Sequence, residues 1–231
     1  MPPVRGFSPS ITRIRSLHDS LFRSHGPQGW WPGDTRLEIM VGAVLTQNAA
    51  WTNVERAIAN LKTADVLDLQ RLRLLPRGEL AELIRPAGYF NVKARRLGHL
   101  VDAVFEAGGL DAMEQTGTRQ LREFLLGVHG IGPETADDIL LYAFDRPVFV
   151  IDAYTRRLFQ RLGWATGEET YDVLREGVER AVRRDVAMLN ELHALIVVHA
   201  KTACRVKPRC DGCVLARRCP AAASAGTTEP K

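Results

Sequence analysis

Apolar residues recur along this chain at intervals of three and four, the spacing that keeps them on one side of a helix. Leu37, Met40, Val41, Val44 and Leu45 make one such face. Val54, Ile58 and Leu61 make a second, and Leu97, Leu100, Val101 and Val104 a third. Leu121, Phe124, Leu125 and Val128 make a fourth. Short Gly/Pro or polar breaks such as RPAGYFN and VHGIGP separate these stretches. Only VFVI, Val148 to Ile151, is strand-like; it follows Pro147 and leads into another helix, so it reads as an extended connector. The expected fold class is all-α. From residue 220 the chain ends in small and polar residues, AAASAGTTEPK, which predict a disordered tail over 220–231.

The chain has 231 residues, enough for one large domain or two small lobes with a real core. With 45% hydrophobic and 25% charged residues it has an ordinary soluble composition. No apolar run reaches the length of a membrane span, and the start, MPPVRGFSPS, has no apolar stretch suited to a signal peptide. A cytoplasmic protein is expected. The net charge of +4 permits an anionic partner without requiring one. The distribution is more telling: basic residues gather at Lys93, Arg95 and Arg96, at Arg156 and Arg157, at Arg183 and Arg184, and through CRVKPRCDGCVLARRC. Such clusters suit contacts along a nucleic-acid backbone.

All four cysteines, Cys204, Cys210, Cys213 and Cys219, fall within sixteen residues, separated by five, two and five others. In a cytosolic chain such a group points to a metal rather than to disulfides. The spacing fits a 4Fe-4S cluster better than zinc, which usually takes two close Cys pairs; zinc is the alternative. All four ligands are local and no position is left for substrate, so a metal here has a structural part.

LLGVHGIGPETAD reads as helix, tight turn, helix. Gly130 and Gly132 flank Ile131, and Pro133 suits a first helical position. The start of that second helix is suited to a phosphate; a plain helix–helix turn is the alternative. Downstream, Asp152 opens another helical stretch. Its bland role is an N-cap. A carboxylate held there is also placed to stay ionised, to stabilise positive charge on a deoxyribose and to activate water.

With the hairpin, the acid after FDRPVFVI and the cysteine loop in this order, the sequence resembles the endonuclease III-like helix–hairpin–helix DNA glycosylases from about Trp30 to Cys219. The resemblance implies a two-lobed fold: a six-helix barrel over 37–146 carrying the hairpin, and a second helical lobe from 1–36 and 147–219 with the iron–sulfur loop. It implies a monomer that binds double-stranded DNA across a cleft and flips a damaged base into it. Two departures stand out. The first cysteine gap is five residues where endonuclease III has six. Glu134 also occupies the place of the lysine that attacks C1′ in strand-cleaving members. The chain has five lysines and none between Ala94 and Ala200. A glycosylase without lyase activity is therefore expected, with Asp152 assisting water and Glu134 lying along the DNA-facing hairpin.

Trp30, Trp31 and Trp51 match the aromatic positions of the 3-methyladenine branch, and Lys201 matches a lysine near that branch's pocket. Stacking aromatics favour an electron-poor alkylated purine. Gln47 and Asn48 are placed to fill the gap left by a flipped nucleotide, with an Asn48 cap on the helix containing Trp51 as the simpler alternative. Two other functions stay open: an oxidised-pyrimidine glycosylase with lyase activity from another amine, and a damaged-DNA-binding protein with weak turnover.

Overall fold

A computed structural model describes residues 7–225, and no strand occurs among them. The chain divides into two compact units: Met1–Trp30 with Pro147–Lys231, and Trp31–Arg146. In chain order, α1 (Ile11–His25) belongs to the first unit. The second unit contains α2 (Arg36–Leu45), α3 (Trp51–Thr63), α4 (Leu69–Leu74), α5 (Arg77–Leu83) and α6 (Phe90–Glu106). It continues with α7 (Leu110–Gln115), α8 (Thr118–Gly127) and α9 (Pro133–Asp138). The first unit resumes with α10 (Ala153–Arg161), α11 (Tyr171–Ala181), α12 (Val186–Thr202) and α13 (Pro220–Ala225).

The four apolar faces read from the sequence lie on α2, α3, α6 and α8, and their aliphatic members are buried. At the start of α2 the Thr35 side chain accepts from the Glu38 amide at 3.1 Å, and the Glu38 carboxylate accepts from the Asp34 amide at 3.1 Å. This reciprocal arrangement satisfies donors that a helix start leaves open. The division between units falls at Trp30–Trp31, and Trp31 packs against α2. A Cβ added at Gly42 would meet its indole nitrogen at 3.1 Å.

In the first unit, Ser10, Asp152, Thr170 and Asp185 each cap a helix with a side-chain oxygen. Helix α12 is apolar on nearly every side and buried, and it packs against α1 and α10. Phe7 stacks on Phe159 at 5.3 Å and fills the space beside Gly177, where a Cβ would come within 2.4 Å of its ring. The connector Val148–Ile151 is buried without pairing to another strand. Its amides are met by side chains instead: Phe149 donates to Glu179 at 3.0 Å and Ile151 to the Tyr171 hydroxyl at 3.3 Å. The end of the chain corrects the expected disorder over 220–231. Pro220–Ala225 is helical, because a proline is tolerated in a first turn and the following alanines are strong helix formers. Residues 226–231 lie outside the described ones.

Candidate nucleic-acid interface and catalytic acid

In the second unit α8 and α9 are joined by a turn whose Gly130 has φ +94°. A side chain there is doubly refused: a Cβ would also lie 2.3 Å from Cγ of Arg96. Pro133 stands at the first position of α9, which runs on as a π-helical stretch, Ile139–Ala143. Arg122 grips the buried Asp137 with two bonds of 2.7 and 3.1 Å, fastening α8 to α9. Gly132, Pro133 and Glu134 are exposed, whereas the Ile131 side chain is turned inward and anchors the turn.

Gln47 does not project freely. Its amide nitrogen donates to the Gly130 carbonyl at 3.1 Å and to the Thr135 hydroxyl at 2.9 Å, and its oxygen accepts from Arg96. Its neighbour Asn48 is exposed, in the left-handed region at φ 54°. Asn48 does not cap α3, whose cap residue is Ala50 with no side-chain bond. Gln47, Asn48, Arg96, Gly132, Glu134 and Thr135 line one open recess. Lys93 leaves the basic cluster assigned to it from the sequence. It is 1% exposed and its ammonium donates to the Leu45 and Ala87 carbonyls, each at 2.8 Å.

The Trp31 and Trp51 rings meet edge-on at 5.3 Å, and Trp31 also touches Tyr142 at 5.4 Å. Trp30 belongs to the first unit, where the Lys201 ammonium stands 5.9 Å from its ring centroid. The same ammonium stands 6.0 Å from the ring of Tyr154, which the sequence reading missed. Arg157 also lies over that ring, at 5.2 Å. By chain position Trp30 falls in the first unit, and Trp31 and Trp51 fall in the second.

Asp152, buried at 8% exposure, caps α10 by accepting from the Thr155 amide at 2.7 Å. Its other oxygen lies 3.7 Å from Nε2 of His193, a residue of α12 with no motif to single it out. Burial pushes the Asp152 pKa up. His193 and the Thr155 bonds outweigh that push, so it sits below the ordinary carboxylate value. Capping thus holds the Asp152 carboxylate in one place, and His193 and Thr155 favour its ionised form.

The four cysteines line one apolar recess of the first unit together with Leu158, His199 and other residues. The Cys213 thiol is pushed up by burial and further by the other three cysteines, as expected of sulfurs that converge. Arg161 donates to the Cys204 sulfur at 3.2 Å and to the Val206 carbonyl at 2.9 Å, while Arg157 donates to the Cys204 carbonyl at 2.9 Å. Among the described residues no group of three or more His, Cys, Asp or Glu is arranged to hold a single metal ion. Four soft sulfurs around one apolar hollow, with cationic donors beside them, fit an iron–sulfur cluster by donor chemistry.

A glycine-tight hairpin between two helices and a helix-capping acid downstream, on an all-helical chain, define the helix–hairpin–helix class. A family model of HhH-GPD superfamily base excision DNA repair proteins matches residues 41–184. A Methanocaldococcus jannaschii protein named "Putative DNA repair glycosylase MJ1434" is 46% identical over 209 residues, covering 89% of this chain and 95% of its own. Endonuclease III of Sulfolobus acidocaldarius is 30% identical over 182 residues, 78% of this chain and 79% of its own. The H. pylori 3-methyladenine DNA glycosylase MagIII, solved with 1,N6-ethenoadenine, superposes with a TM-score of 0.72 at 31% identity, covering 83% of this chain and 96% of that one. A non-covalent endonuclease III–DNA complex shares the fold, with a TM-score of 0.80 at 18% identity over 94% of this chain and 99% of that one. The chain belongs to the HhH-GPD superfamily of base excision DNA repair proteins.

Proposed function

We propose that this protein is a DNA glycosylase that hydrolyses the N-glycosidic bond of a flipped, damaged base and leaves the strand intact. The observation that carries the monofunctional part is Glu134. It is exposed in the first turn of α9, where strand-cleaving relatives are expected to place an amine. A carboxylate cannot form the Schiff base that leads to cleavage. Lys93 does not substitute. Burial, with a smaller effect from the Arg96 charge, pulls its pKa down to about 8, but its nitrogen is inside the second unit and committed to two carbonyls.

In this reading the hairpin takes a phosphate through the backbone of the exposed Gly132–Glu134 segment, with Arg96 beneath it. Asn48 enters the space vacated by the base, held from behind by the fixed Gln47. Ionised Asp152 stabilises positive charge building on the sugar and takes a proton from water as the water oxygen bonds to C1′. The carbon–nitrogen bond breaks, and the base departs with the electron pair and gains a proton. Cys204, Cys210, Cys213 and Cys219 would hold a 4Fe-4S cluster, with zinc as the alternative. Its part is structural: it would fasten the loop that Arg157 and Arg161 attach to α10, the helix that Asp152 caps.

Alkylated purines are the favoured substrates. The tryptophan groups and the likeness to the H. pylori enzyme, which bears 3-methyladenine in its name, support them. One observation favours a second reading. Lys201 already supplies a cation beside Trp30 and Tyr154, and an ammonium there repels a cationic alkylated base but can donate to a base carbonyl. That would suit an oxidised pyrimidine. End-labelled duplexes carrying one methylated adenine, thymine glycol, uracil or 8-oxoguanine, treated with and without hot alkali, decide between them. Breaks at the methylated purine only after alkali support the first reading. Breaks without alkali, chiefly at thymine glycol, overturn it.

A further inference from the structure

We infer that Lys93 is a positioning residue for base extrusion: its buried ammonium holds two surface turns, tipped by Asn48 and Tyr89, at a fixed separation. The inference rests on the reading that the protein acts on a flipped base. Lys93 lies on α6, and its two acceptors are the last residues of two different segments. Leu45 ends α2 and leads into Thr46, Gln47 and Asn48. Ala87 ends a short 3-10 turn, Arg85–Ala87, and leads through Gly88 into Tyr89. Both turns finish on a residue other than glycine in the left-handed region, Asn48 at φ 54° and Tyr89 at φ 46°. Both of these residues are exposed, Tyr89 at 73%. A polar and an aromatic side chain held outward on strained backbone mark a contact surface, because such conformations persist only where surrounding structure enforces them.

Helix α6 supplies that enforcement twice. Arg96, one turn beyond Lys93, binds the Gln47 side chain and lays its stem against Gly130. Through these two residues a single helix registers the Asn48 turn against both the Tyr89 turn and the hairpin. Burying an ammonium is a costly way to join two carbonyls if stability were the only purpose. The cost is better explained by a fixed geometry. An insertion of side chains into a duplex must be aligned before the base leaves the stack, and a turn free to drift would spend binding energy on ordering itself.

The test uses Lys93→Met, which keeps the length of the side chain and removes its donors. The probe is a duplex carrying 1,N6-ethenoadenine, whose fluorescence rises on unstacking. The base is placed once opposite thymine and once opposite an abasic site, where little remains to be displaced. Fluorescence reports extrusion without chemistry, so it separates this inference from the glycosylase reading, which base release tests on the same samples. The expected result is an extrusion signal at least about tenfold smaller on the paired duplex, retained opposite the abasic site, with duplex affinity changed less than about threefold. Equal loss on both duplexes, an unchanged signal on the paired one, or no signal from the parent protein overturns the inference. If Lys93→Met does not fold, the surface variant Asn48→Ala with Tyr89→Ala takes its place. It must lose the signal on the paired duplex alone, and a full signal there is equally fatal.

Discussion

The Oδ2 atom of Asp152 lies 3.7 Å from Nε2 of His193, so the acid at the start of α10 is electrostatically joined to the buried helix α12. Removing the histidine, as in His193→Phe, takes away the leading influence that holds the Asp152 pKa down and leaves burial to raise it. A carboxylate with a depressed folded pKa stabilises the fold above its unfolded pKa, and that contribution disappears as pH falls through the folded value. With burial left to raise its folded Asp152 pKa, the variant should be less stable than the parent at neutral pH and should not share the loss that this group brings the parent on acidification, while the acid limb of its base-release profile moves to higher pH. Melting curves from neutral pH to about pH 3 check this, since the perturbation lies at the carboxylate end of the range; superimposable curves would refute the pairing. Asp152→Asn should fold normally, because Asn caps as well as Asp, while base release drops at least about a hundredfold and duplex affinity holds.

Lys201 separates the two substrate readings. With its ammonium 5.9 Å from Trp30 and 6.0 Å from Tyr154, Lys201→Met removes a cation from beside two aromatic faces. If a cationic alkylated purine is the substrate, kcat/KM should hold or rise. If the lysine donates to a base carbonyl, kcat/KM should fall about tenfold or more, the scale of a lost hydrogen bond to a charged donor. Kinetics on methylated-adenine and thymine-glycol duplexes give the answer directly.

The hairpin offers a gain-of-function test. Glu134→Lys puts an amine on an exposed first-turn position, and borohydride should then trap a protein–DNA adduct absent from the parent. A parent protein that is itself trapped would sink the monofunctional proposal. Gly130→Ala should fail for another reason, since φ +94° and the Arg96 stem leave no room for a Cβ. A loss of about 1–3 kcal/mol in denaturant unfolding, with weaker duplex binding, is expected.

Cysteine loading should depend on pH. Burial and the three neighbouring cysteines hold the Cys213 thiol above its ordinary value, so a ligand that needs thiolates must displace protons. Reconstitution with iron and sulfide should give visible absorbance that weakens as pH falls, and Cys213→Ser should abolish it. Zinc taken up in place of iron, with no visible band, would favour the alternative ligand.

Much of this protein is determined by short-range pattern. Apolar residues three and four apart specify α2, α3, α6 and α8, and Asp152 signals its own helix start, because both depend on neighbours within one or two turns. Gly130, Pro133 and the cysteine spacing are legible for the same reason. What only tertiary structure decided involves partners distant in sequence or the direction in which a side chain leaves the backbone. The basic run at Lys93 is the clearest case: its charge suggests an outward cluster, but packing of α6 turns Lys93 inward onto two carbonyls and leaves Arg96 to bind Gln47. Ile131, in the middle of the phosphate-suited turn, has its side chain buried, and adjacent Trp30 and Trp31 fall in different units. His193 and Tyr154 carry no local signature at all. Their relevance arises because the chain returns α12 to the start of α10, and a sequence lists neighbours along the chain and not those across the fold.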